Sequence, residues 1–109
     1  MSTTLLNVAV SELLFDEHAA STGNSSDFAL PSRSCLVSWQ FWFGTDPDAV
    51  SIQILTSLDG TNFNVTDSDT TAAGTLKTFQ TSAKFIRARI DSITSGDKVS
   101  LIVIAKPIG

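Results

Sequence analysis

From Cys35 to Phe43 the odd positions Cys35, Val37, Trp39, Phe41 and Phe43 are all apolar, while Ser34, Ser38 and Gln40 punctuate the alternate positions. A period of two is the signature of a pleated strand, whose successive side chains leave on opposite sides. The segment is predicted to be a central strand with one strongly buried face. The same alternation returns in Val50–Ser57, which meets Asp59-Gly60, a pair suited to a tight turn with positive φ at the glycine. Thr61 to Val65 is read as the returning partner strand, with Phe63 and Val65 on one face.

Further along, Thr66 to Gly74 is polar and aperiodic, and reads as an exposed loop, the best candidate for mobility. Thr75 to Gln80 is a short strand with Leu76 opposed to Thr75 and Lys77. Lys84 to Asp91 is another, with Ile86, Ala88 and Ile90 on one side and Phe85, Arg87 and Arg89 on the other. Lys98 to Lys106 closes the chain, with Val99, Leu101, Val103 and Ala105 on one face and Ile102 and Ile104 on the reverse. The first thirty residues are less regular. Thr4 to Val10 reads as an edge strand or an extended arm. Ser11 to His18 has a weak helix-like start too short to hold alone and is assigned as strand or irregular. A loop spans Ser21 to Ser26, and a short strand from Asp27 to Leu30 ends at Pro31.

Several short strands separated by turn signals predict an all-β, antiparallel β-sandwich of jelly-roll type, with a flattened barrel as the structural alternative. The 109 residues fit one domain over 1–109, with 1–11 an extended arm or edge strand. Seven Phe, two Trp and a hydrophobic share of 42% provide enough apolar area for one core. Cys35 is the only cysteine, so no intramolecular disulfide can form and the fold must hold by packing.

Charge and composition also exclude functions. A net charge of −4 with seven scattered basic residues argues against a nucleic-acid partner. The start lacks a secretory signal and no apolar run is long enough to span a bilayer, so synthesis in a cytoplasm and no membrane partner are expected. His18 is the only imidazole and sits among Asp16, Glu17 and Ala19 with no partner motif. Cys35 lies on the apolar side of its strand, a poor place for a nucleophile. Asp67, Ser68 and Asp69 could gather with Asp59, Asp46 or Asp48 around calcium, but the spacing matches no ligand loop. No cofactor, no metal and no catalytic residue are assigned.

What remains is apolar bulk on the wrong side of strands. Trp39 and Trp42 are three positions apart and must face opposite ways. Trp39 belongs to the core series, which leaves Trp42 with Leu36 on the reverse face. Leu36, Trp42, Ile102 and Ile104 are therefore assigned as partner-binding residues, because a small monomer rarely leaves a large apolar patch wet. Leu5, Leu6 and Val8 join them, since an extended arm can add to the sheet edge of a neighbour. A homo-oligomer is expected.

Two motifs carry a resemblance. Ser57-Leu58-Asp59-Gly60-Thr61-Asn62-Phe63, followed by Ala83-Lys84-Phe85-Ile86-Arg87-Ala88-Arg89-Ile90, resembles small β-sandwich proteins of tailed bacteriophage particles, of the decoration or cement type. The same turn and strand signatures look like discoidin-type jelly rolls of carbohydrate-binding modules. The likeness spans Val50 to Ala105. It implies a non-enzymatic structural protein of a phage virion, made in the host cytoplasm, most simply a capsid decoration protein that stabilises the shell through subunit contacts. The implied partners are the major capsid protein or other virion proteins, and the implied oligomer is a trimer by analogy alone. A tail or head-completion component is the near alternative. A carbohydrate-binding module, with Trp42 or a loop residue near Asp59 and Asn62 on a glycan, is the rival.

Overall fold

A computed structural model describes residues 9–31 and 34–108. It contains β1 (Val10–His18), β2 (Gly23–Asn24), β3 (Phe28–Ala29), β4 (Cys35–Thr45), β5 (Ala49–Ser57), β6 (Asn64–Asp69), β7 (Thr75–Thr81), β8 (Phe85–Thr94) and β9 (Asp97–Pro107). One sheet has the order β1-β9-β4-β7, the other β2-β8-β5-β6, with β3 also paired to β8. All pairings are antiparallel, and the chain changes sheet between β1 and β2, β3 and β4, β4 and β5, β6 and β7, β7 and β8, and β8 and β9. The result is the expected antiparallel β-sandwich.

The alternation seen in the sequence fills the space between the sheets. Val37, Trp39 and Phe41 of β4 and Val99, Leu101 and Val103 of β9 meet Ile52 and Ile54 of β5 and Ile86 and Ile90 of β8, each at most 1% exposed. Burying a side chain of this size contributes about 1.5–3 kcal/mol, so this set offsets much of the chain entropy without a covalent cross-link. Cys35 is buried in the same cluster.

One margin of the sandwich is closed by polar groups. The Trp39 indole Nε1 donates to Asp67 Oδ2 at 2.9 Å, crossing from the first sheet to the edge strand of the second. Lys77, opposite Trp39 on β7, places Nζ 3.2 Å from Asp67 Oδ1 and 3.8 Å from Asp69 Oδ2. The same ammonium donates to the Ser68 carbonyl at 2.7 Å. A buried indole needs an acceptor and a half-buried carboxylate needs a cation; Asp67 supplies the first and Lys77 the second.

Two segments differ from the sequence reading, and a third, left open as strand or irregular, is resolved as strand. The return strand after Asp59-Gly60 begins at Asn64 and not Thr61, because the Asp59 side chain holds the chain in a wider loop through Asn62. Thr66 to Asp69, expected to be loop, therefore belong to β6, and only the stretch to Gly74 remains a turn. Val10–His18 is a strand throughout, with register shifts between Leu13 and Phe15 and between Phe15 and His18. Those bulges explain the broken periodicity, since each extra residue flips the later side chains to the other face.

Candidate functional site

The register of the first sheet decides what lies on its outer surface. Leu13, Ile102, Gln40 and Leu76 stand directly opposite one another across β1, β9, β4 and β7. The next row is Ser11, Ile104, Ser38 and Thr78; beyond it lie Lys106, Leu36 and Gln80, and on the other side Ser100 and Trp42. Residues opposite one another in an antiparallel ladder share a face. The rows therefore form one continuous outer surface.

Six apolar side chains stand on it. Leu13, Leu36, Trp42 and Ile104 are 41–42% exposed, Leu76 is 59% exposed, and Ile102 is half-buried among them. The polar residues between them are uncharged, and Ser38 and Thr78 satisfy each other at 2.9 Å. Among the described residues of β4, β7 and β9, the charged side chains on this side are Lys106 at one end and Lys98 at the other. Along β4, β7 and β9 the floor is thus apolar and neutral with a lysine at either end, and it is bordered by the acidic strand β1.

Leu36, Trp42, Ile102 and Ile104, assigned from sequence, thus fall on one face of two adjacent strands. Leu5, Leu6 and Val8 lie outside the described residues. Leu13 and Leu76 were missed. Leu76 alternated with Thr75 and Lys77, which was a usable signal, but Leu13 was hidden by the bulges of β1.

The outer face of the second sheet is built differently. Leu55 points outward opposite Arg87, yet it is 4% exposed and stands apart from the main core cluster. The loop after β5 folds back over that side. Asp59 Oδ1 accepts from Ser57 Oγ at 2.9 Å and from the amides of Thr61 and Asn62 at 2.8 Å, while Oδ2 accepts from Asn62 Nδ2 at 2.7 Å. These donors hold the Asp59 carboxyl well below the usual carboxylate range, first through the Asn62 amide and then through that of Thr61. Gly60, at φ +79°, lies against Phe85 so closely that a Cβ would be 3.2 Å from the ring. The Arg87 guanidinium stacks 3.9 Å from the centre of the Phe63 ring and pairs with Asp27 at 2.7 Å. Arg89 bonds Gln53 on the same face.

The remaining polar candidates have structural partners. His18 Nδ1 lies 2.8 Å from the Ala19 carbonyl and its ring meets Phe15 at 5.0 Å. Arg87, on the outward side of its strand, bonds Asp27 of its own chain. Among the described residues no three His, Cys, Asp or Glu side chains gather as a metal would require. A cleft of about 340 Å³ lies between the β5–β6 loop and the β7–β8 corner, lined by Thr56, Ser57, Leu58, Asp59, Asn62, Asn64 and Ala83. Trp42, on the other sheet, takes no part in it.

No protein-family model matches this chain, and no curated protein matches it. Solved structures do. The SPBc2 prophage-derived protein YomS aligns over 91% of this chain and 93% of its own, at 14% identity and a TM-score of 0.64. The PBSX exported protein XepA aligns over 92% of this chain but 37% of its own, at 14% identity and a TM-score of 0.61. The K3 cleaved adhesin domain of Lys-gingipain from Porphyromonas gingivalis W83 covers 93% of this chain and 74% of its own, at 16% identity and a TM-score of 0.58. The likeness is one of fold, shared by a prophage-derived protein, an exported protein and an adhesin domain.

Proposed function

We propose that this chain is a non-enzymatic structural protein of a phage particle, a capsid decoration or cement protein that docks through the outer face of its first sheet. The observation that carries the reading is the outward apolar row Leu13–Ile102–Leu76 with Leu36, Trp42 and Ile104 around it, which no other described residues cover. Burying such a floor against a major capsid protein or another virion protein removes apolar area from water, and a half-exposed Trp is a frequent energetic centre of such contacts. The prophage origin of YomS supports a viral setting for this sandwich. Deposition on the particle follows synthesis in the host cytoplasm.

Mass spectrometry and cryo-electron microscopy of purified particles test this directly. The chain is expected in stoichiometric copy number with its β4–β9 face against the shell, and absence from the particle overturns the proposal. The double variant Trp42→Ser, Ile104→Ser is expected to lose particle binding with its β-rich circular dichroism intact.

The carbohydrate-binding alternative is less well supported. Trp42 does not line the cleft, and both Asp59 oxygens are occupied within its own loop. Binding on a glycan array, lost on substitution of Asn64 in the 340 Å³ cleft, would favour it over docking.

A further inference from the structure

The two edges of the first sheet are not equivalent. β1 carries two register shifts, a positive φ of 50° at Glu17, and the charges of Glu12, Asp16 and Glu17. Bulges and charges of this kind keep an edge strand from pairing with another chain. β7 has none of them: its seven residues pair with β4 without a shift, it contains no proline, and its one charge, Lys77, is turned away to Asp67 and Asp69.

The direction of its free backbone groups follows from the ladder. The Ser34 carbonyl accepts from the Ile108 amide at 2.9 Å, on the β9 side of β4. Because alternate residues of an antiparallel strand bond to alternate neighbours, the even residues of β4 serve β9, and Cys35, Val37, Trp39 and Phe41 serve β7. The position of the Phe41 carbonyl agrees, since a Cβ on Gly74, which precedes β7, would lie 2.4 Å from it. On β7 the partners of those odd residues are Thr75, Lys77, Phe79 and Thr81. Leu76, Thr78 and Gln80 are left with their amides and carbonyls facing outward.

We propose that two copies of this chain pair edge to edge through β7, antiparallel and centred on Thr78. In that register Thr78 faces the partner's Thr78 and Leu76 faces the partner's Gln80. All three outward residues are then used, giving about six backbone hydrogen bonds. Lys77 lies opposite the partner's Phe79. Centring the pair on Lys77 would set two ammonium groups against each other and leave Gln80 without a partner within the strand, so charge and bonding select the same register. The exposed Leu76, at the rim of a single copy, moves to the middle of an eight-stranded sheet. Such a pair closes after two copies, so it yields a dimer where the resemblance implies a trimer.

Pairing also enlarges the docking floor, and this part rests on the function proposed above. Four strands at about 4.8 Å spacing and a Leu36-to-Trp42 span of about 20 Å give one copy a flat footprint of roughly 400 Å². Two coplanar copies reach roughly 800 Å², the area per partner of a standard stable interface. One copy docks weakly; a β7 dimer docks firmly.

Sedimentation equilibrium of the purified chain across a concentration series tests the pairing. The mass is expected to double as concentration rises. Thr78→Pro removes an amide that the monomer does not use and is expected to stay monomeric with unchanged circular dichroism. Should proline disturb the fold, Thr78→Lys places like charges face to face at the axis and is expected to block pairing by repulsion alone. Thr78→Cys should give a covalent dimer with a short bis-maleimide, each thiol adding across one maleimide double bond, while Leu76→Cys, distant from its own copy, should not. A wild-type chain monomeric at every concentration, or dimers that survive both Thr78→Pro and Thr78→Lys, overturns the pairing. A dimer retained in Trp42→Ser, Ile104→Ser while particle binding disappears separates this result from the docking proposal.

Discussion

Leu55 and Leu36 both point away from the core, one from each sheet, yet Leu55 is 4% exposed and Leu36 is 42% exposed. The difference lies in what the chain lays over them. On the second sheet the Asp59 loop, Phe63 and the Arg87–Asp27 pair fold back across the outward side chains. On the first sheet nothing in the described residues covers Leu36, Trp42 or Ile104. An outward apolar residue on a strand is therefore no sign of an interface by itself; the sign is an outward apolar residue for which the chain supplies no cover.

The tryptophans give the largest contrast. Trp39→Ala removes a fully buried ring and leaves Asp67 short of a donor, and is expected to cost about 3–5 kcal/mol in urea unfolding. Trp42→Ala, three residues away, is expected to stay within about 1 kcal/mol. An equal loss in both would mean that the outer face of the first sheet is core. The leucines come next: Leu55→Ala is expected to cost about 2 kcal/mol or slightly more, and Leu36→Ala well under 1 kcal/mol, by the same measurement.

Smaller again is removal of the cover itself. Phe63→Ala takes away the platform under Arg87 and is expected to cost about 1–2 kcal/mol and to raise binding of a hydrophobic dye at the second sheet. The Asp59 turn should show in pH dependence. Its carboxyl titrates lower in the folded chain than in the unfolded one, so its contribution is complete above the ordinary Asp value of about 4 and is lost as pH falls below that toward the folded value. Urea midpoints measured from pH 6 to pH 2 are expected to fall less steeply for Asp59→Asn than for wild type. The smallest effect is expected at Lys77→Met, the lysine side chain being over one-third exposed, with a loss below about 1 kcal/mol that shrinks further in high salt.

The strands that face the core were legible because burial on one side imposes strict alternation, as in Cys35–Phe43 and Val99–Ala105. Leu36, Trp42, Ile102 and Ile104 were legible as reverse-face residues for the same reason. What could not be read was that β4 and β9 are neighbours, since pairing of strands separated by more than fifty residues leaves no local trace. The Asp59 loop was misjudged because Asp59-Gly60 suits a two-residue turn, and only the four bonds collected by its carboxylate lengthen it to Asn62. β1 was obscured by bulges, and the Asp67 and Asp69 strand by its polar composition. Both are edge strands, where half the surroundings that shape a sequence are missing.

The indole bond from Trp39 to Asp67 has a consequence for how this molecule can be observed. The chain has two Trp and no Tyr, so its ultraviolet emission comes from two indoles in opposite surroundings. Trp39, stacked 5.6 Å from Phe41 and shielded from solvent, should emit from a fixed site that acrylamide reaches poorly. Trp42 should emit to the red and be quenched readily. Loss of the fold would be reported by one fluorophore and arrival at a partner by the other, so unlabelled protein carries separate optical channels for folding and for assembly.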